Sequence, residues 1–152
     1  MKWTRWRSKG LWLRAASALS VLLAAGHSAG GLKSWSPIGE SDVLRAMRSF
    51  RMDAQGVQRS YLDFYLGFGW SMSVYLVLQA VLLWQIATLD KVSPASARPM
   101  IAVFVVANAL GAVVAEQFIF AIPMAFFLAI AGCLSIAWGV HAAPSNTDTA
   151  RG

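Results

Sequence analysis

The sequence predicts an all-α fold: a four-helix transmembrane bundle with a short amphipathic helix between spans 1 and 2. Three observations predict it. Of the 152 residues, 57% are hydrophobic and 13% charged, against ~25% charged in a typical soluble domain. The apolar residues fall in long blocks, roughly 11–32, 61–89, 100–120 and 123–140. Blocks near the ~20 residues a helix needs to cross a bilayer are the membrane signature. The basic residues, which bring the formal charge to +6, lie at the edges of these blocks, where they orient a membrane protein. A chain of this size makes one bundle, with no room for a separate soluble domain.

Residues 1–10 form a basic segment predicted to be cytoplasmic. Lys2, Arg5, Arg7, Lys9 and Arg14 alternate with Trp3, Trp6 and Trp12. Basic residues beside a span favour the cytoplasm, and tryptophans favour the interface. Span 1 runs from Leu11 to Leu32. Ala16, Ser20, Ala24 and Ser28 recur every four residues, and small side chains at that spacing let another helix approach closely. Gly26 and Gly30 repeat the pattern on a neighbouring face. The rival reading of this segment is a signal peptide, with Leu19 to Ala25 as its apolar centre and cleavage after Gly26 or Ala29. Against it, no Ala-x-Ala immediately precedes either cleavage position and the apolar run continues around His27.

Residues 33–60 are the one long polar connection. Ser36-Pro37-Ile38-Gly39 reads as a turn or helix start. From Ser41 the pattern is helical: Val43, Met47, Phe50 and Ala54 fall on one side and Arg45, Arg48 and Arg51 on another. The expectation is an amphipathic helix at the membrane surface, ended by Gly56, with its arginines toward lipid headgroups or, alternatively, as a lid. Span 2 runs from Tyr61 to Leu89. Asp63, Gly67 and Trp70 share a face at its start. Asp90 to Pro99 reads as a turn-rich loop. Span 3 follows from Met100 to Phe120, with small residues Ala107, Gly111 and Ala115 in one stripe and Asn108, Ala112 and Glu116 in a polar one. Pro123 suits the first turn of span 4, which ends near Val140. Residues 142–152 are a polar tail.

With the N-terminus inside, eight basic residues lie on the inner side and five on the outer. The bias is strongest at span 1, which usually dominates orientation. Both termini are then cytoplasmic, and the expected location is a bacterial inner membrane.

The candidate site comes from depth. His27 and Glu116 each lie ~16 residues past the inner start of their spans, or ~24 Å at 1.5 Å per residue. Asp63 opens span 2 from the outside, so all three fall in the outer third of the membrane, with Gln117 and Ser28 adjacent. Charged groups in a membrane helix cost ~2.5–3.5 kcal/mol near its centre and normally face the bundle interior. Three readings follow. The three side chains fix helix packing by hydrogen bonds. They form a binding or catalytic site, in which a neutral histidine with a carboxylate moves protons. Or they hold a metal, a set lacking a second nearby histidine. No nucleophile elbow, phosphate loop, HExxH or haem signature is present, so no cofactor is expected.

His27-Ser28-Ala29-Gly30-Gly31, Ala46-Met47-Arg48-Ser49-Phe50-Arg51, Asp63-Phe64-Tyr65-Leu66-Gly67-Phe68-Gly69 and Val81-Leu82-Leu83-Trp84-Gln85 resemble a family of small four-span bacterial membrane proteins of unknown function. The resemblance covers the first half of the chain; beyond residue 90 only general hydropathy is shared. It implies a four-helix integral membrane protein and brings no activity, substrate or catalytic residue. Fold analogy alone does not transfer function.

The sequence therefore points to a non-enzymatic membrane protein, either a small subunit or a binder of lipid or a hydrophobic ligand. Its expected partners are the lipid bilayer and a hydrophobic small molecule or another membrane protein. Nucleic acid is excluded, because the basic face it needs is missing. A bound ligand would be lined by His27, Asp63, Glu116 and Gln117, with Arg48 and Arg51 at the mouth. The alternative is a membrane enzyme moving protons on a lipid-soluble substrate, with His27 and Glu116 as acid and base. Cys133 is the only cysteine; it permits no intrachain disulfide, and its apolar setting reads as an inert buried thiol.

Overall fold

The computed structural model describes residues 9–36 and 38–140. The basic segment before Lys9, Pro37, and the tail after Val140 lie outside the described residues. Five helices and one β-hairpin follow in order: α1 (Lys9–Gly31), α2 (Asp42–Ser49), β1 (Arg51–Ala54), β2 (Val57–Ser60), α3 (Tyr61–Val92), α4 (Pro94–Phe118) and α5 (Ala121–Gly139). By length and apolar character, α3, α4 and α5 could each cross a membrane. Helix α1 has the length, at 23 residues, but Arg14, His27 and three serines dilute its hydropathy. The first, third, fourth and fifth helices match the expected spans to within a few residues, except at the start of α4.

Two segments differ from the expectation. The predicted amphipathic helix stops at Ser49, and a hairpin replaces its second half. Ser41 caps the start of α2, its hydroxyl accepting from Leu44 N at 3.2 Å. The hairpin pairs Arg51 with Ser60 and Met52 with Arg59. Its two-residue turn has φ +57° at Gln55 and +85° at Gly56. Positive φ at both positions is the turn that matches strand twist. Asp53 Oδ1 accepts from Gly56 N at 2.7 Å and closes it. The helical period in 41–54 was genuine only as far as Ser49. The chain is therefore not purely α.

The second difference is the expected loop 90–99, which is almost absent. Only Ser93 separates α3 from α4. Pro94 opens α4, where its missing N–H matters least, and Pro99 lies inside the helix. Pro99 cannot donate to the carbonyl four residues earlier. That carbonyl lies in the first turns of α4, beside the chain reversal.

The chain divides into two compact units, Ser17–Leu82 and Met1–Ala16 with Leu83–Gly152. In the second, α4 and α5 run antiparallel, joined by Ile119 and Phe120. Gly111 faces Phe127, where an added Cβ would lie 3.0 Å from the ring, and the Arg98 guanidinium lies 4.9 Å from the Trp138 ring centre. Ile101, Ala115, Ile130, Leu134 and Ala137 are fully buried. In the same unit, Lys9 Nζ lies 3.5 Å from Asp90 Oδ1, and Arg14 lies 5.0 Å from the Trp84 ring centre. The expected polar stripe of α4 divides: Asn108 and Ala112 are buried, while Glu116 is exposed.

In the unit Ser17–Leu82, α1 packs antiparallel on α3. Ser17 Oγ donates to Ala80 O at 2.7 Å, Gln79 Nε2 donates to Ser20 Oγ at 2.9 Å, and Ser28 Oγ donates to Ser73 Oγ at 3.0 Å. Ser20 and Ala24 of the small-residue stripe are buried, and Ser28 is half-buried. The short side chains let the helices approach closely enough for hydroxyls to reach across.

Candidate functional site

The site is built where α1 ends. After Gly31 the chain reverses: Trp35 N donates to Gly30 O and Ser34 N to Gly31 O, each at 3.0 Å. Ser34 and Trp35 both have positive φ, +52° and +48°. Non-glycine residues hold that region only when their surroundings fix them, at about 1–3 kcal/mol each. The surroundings here are specific. The Trp35 indole lies over Gly31 and Gly69, with its edge against Gly30. A Cβ on Gly31 would fall 2.7 Å from the indole, and one on Gly69 would overlap it. Trp35 Nε1 donates to His27 O at 2.8 Å. Tyr65 Oη donates to Trp35 O at 3.2 Å. The rings of Tyr65 and Trp70 stand edge-on to the indole, with centroids 6.4 and 5.4 Å away.

His27 is joined to the same cluster. Its ring centre lies 5.1 Å from that of Trp35, and Nε2 lies 2.9 Å from Gly69 O. A carbonyl only accepts, so Nε2 carries the proton and Nδ1 is the remaining nitrogen. The imidazole thus spans from α1 to the backbone of α3.

Asp63 has a different task. Its Oδ2 accepts from Ser60 N at 2.7 Å, and Ser60 Oγ accepts from Asp63 N at 3.2 Å. This reciprocal pair is a capping box, which satisfies donors left open at a helix start. Ser60 is buried; Asp63 is exposed. The hydrogen bonds of His27 and of Asp63 thus go to different backbone groups. Glu116 and Gln117 lie near the end of α4 in the other unit, both exposed, with Gln117 Nε2 3.5 Å from Glu116 Oε2. Arg48 pairs with Glu40 at 3.3 Å, and Arg51 sits on β1 rather than on the helix. Among the described residues no group of three His, Cys, Asp or Glu side chains could hold a metal ion.

Sequence reasoning missed Trp35, Gly69 and Ser60. Trp35 lies in the polar connection, outside any periodic segment, so no pattern marked it. Gly67 was placed on a shared face with Asp63 and Trp70, yet a Cβ there would meet nothing within 4 Å, and it is Gly69 that packs. Ser60-x-x-Asp63 before an apolar run was the available signal for the capping box.

Compared with known protein families, with curated proteins and with solved structures, the chain matches none.

The capping box makes a direct prediction. Ser60→Ala should cost about 1 kcal/mol in detergent melts, Asp63→Ala should also lower stability, and the double variant should cost little more than Ser60→Ala alone. Additive losses would mean that the two residues act separately.

Proposed function

We propose that this chain is a four-span integral protein of a bacterial inner membrane, with both termini cytoplasmic, acting without catalysis as a small subunit beside another membrane protein. The observation that carries the non-catalytic reading is the use made of the ionisable side chains. His27 Nε2 is engaged by Gly69 O and Asp63 by Ser60 N, so both groups most exposed to suspicion of chemistry serve backbone packing and capping.

Counting α1 as a span rests on where its polar groups go. Ser17, Ser20, His27 and Ser28 all hydrogen-bond to α3, while Val21 and Leu22 are 53% and 59% exposed. Polar groups turned to a neighbouring helix and apolar ones turned out are what a bilayer requires. Its 23 residues reach about 34 Å, enough for a hydrocarbon core of ~30 Å. Lys9, Arg14, Lys91 and Arg98 at one end of the spans support cytoplasmic termini. The subunit reading draws on uncovered small residues: a Cβ on Gly26, Gly67 or Gly132 would meet nothing within 4 Å, which leaves room for close approach by another helix.

Topology is tested with single cysteines in a Cys133→Ser background. Thr4→Cys and Ser96→Cys should react with an impermeant maleimide only after the inner membrane is opened, and Gln58→Cys without opening. Thr4→Cys reacting on the same side as Gln58→Cys would mean that α1 does not cross. Native mass spectrometry of protein extracted gently from its own membranes tests the role. A complex with a second membrane protein, retained in His27→Ala and Glu116→Ala, is expected. A monomer carrying a small molecule that both variants lose would overturn the subunit reading.

A further inference from the structure

The segment between α1 and α3 carries a surface that the helix packing does not use. β2 ends at Ser60 and α3 begins at Tyr61, so no linker separates the hairpin from a helix long enough to cross a membrane. The capping box fixes this junction. Phe50, which follows α2, stacks on Tyr61 with ring centroids 5.3 Å apart. If α3 is a span, α2 and the hairpin are held at the bilayer surface where it starts.

The chemistry of the segment has two parts. Val43, Met47 and Phe50 fall at i, i+4 and i+7 along one side, and Val43 and Phe50 are 69% and 58% exposed. Of the four arginines, Arg45 pairs with Asp42 and Arg48 with Glu40. Arg51 and Arg59 make no ion pair among the described residues. Their register positions, opposite Ser60 and Met52, put them on the hairpin end that joins α3, where both act electrostatically on Asp63. Asp53, the hairpin's own carboxylate, lies toward the turn and accepts from Gly56 N, so at the end that joins α3 the two guanidinium groups face one carboxylate, Asp63, and leave positive charge there.

We propose that α2 and the hairpin form a docking surface for acidic phospholipid headgroups. Arg51 and Arg59 bind the phosphate oxygens, and Val43, Met47 and Phe50 seat in the acyl boundary beneath. Charge complementarity selects this occupant: a guanidinium fork matches phosphate geometry, and an apolar strip beside basic residues suits an interfacial helix. The proposal deepens the membrane reading. It needs α3 to span and does not need α1 to do so.

The test uses the full chain in nanodiscs of equal phosphatidylglycerol and phosphatidylcholine, released into a native mass spectrometer. Wild type should retain phosphatidylglycerol several-fold over phosphatidylcholine. Arg51→Gln/Arg59→Gln should reduce that preference at least about three-fold, and Arg45→Gln/Arg48→Gln by less than two-fold. An unchanged preference in the first pair, an equal loss in both pairs, or complete loss on neutralising Lys2, Arg5 and Arg7 instead would overturn the proposal. Should the first pair fail to fold, hydrogen exchange of the wild type decides. Residues 42–60 should exchange more slowly in phosphatidylglycerol discs than in phosphatidylcholine discs. Equal exchange, or protection that follows protein concentration rather than lipid charge, would assign the face to a neutral interface or to a second copy of the chain. Failure of α3 to span would appear separately, as Gln58→Cys and Ser96→Cys labelling on one side.

Discussion

Where α1 ends against the first turns of α3, the packing depends on the space left by Gly31 and Gly69, into which a single indole fits. Trp35 reaches that space only because the chain turns sharply after α1, through two residues in the left-handed region. Those strained positions are offset by what they place: ring contacts with His27, Tyr65 and Trp70, and an indole donor on the His27 carbonyl. The imidazole then aims at Gly69 O on the neighbouring helix. Each contact presupposes the others, so the cluster is expected to form or fail together.

Away from this cluster, the α1–α3 contact follows from the need of polar side chains between close helices to find partners. A buried hydroxyl left without a partner is costly. Ser17, Ser20 and Ser28 find theirs in Ala80 O, the Gln79 amide and Ser73. The α4–α5 hairpin solves the same problem by having almost nothing to satisfy; Asn108, its buried polar side chain, donates to Phe104 O one turn away. The two helix pairs are thus joined by different means, one by hydroxyls between close backbones, the other by interlocked apolar side chains.

The helices were legible in the sequence because apolar block length and small-residue spacing are long signals. The stripe Ala16, Ser20, Ala24 and Ser28 marked the packed face of α1 correctly, since a helix repeats every 3.6 residues. The hairpin was not legible. Val43, Met47 and Phe50 set a helical rhythm that Ala54 happens to continue, and Gln-Gly is a weaker turn signal than Asn-Gly. The helical content of 94–99 was hidden by two prolines that sit within the first turns of α4. As for the site, His27 was found because an ionisable group in an apolar block stands out. Its partners were not, because a backbone carbonyl at Gly69 and a loop tryptophan leave no pattern in the chain. Asp63 was read by depth as a member of the same set, and depth says nothing of the hydrogen bond that a first-turn carboxylate makes locally.

The most direct test of this account compares two glycines one turn-half apart on α3. Gly69 lies under the Trp35 ring and Gly67 faces open space. Melting of the two alanine variants in the same detergent should separate them. Gly69→Ala should lower Tm by about 5 °C through overpacking, while Gly67→Ala should leave it unchanged or raise it by helix propensity. Equal effects from the two substitutions, or a neutral Gly69→Ala, would contradict the claim that Trp35 seated on glycine holds the end of α1 and the start of α3 together.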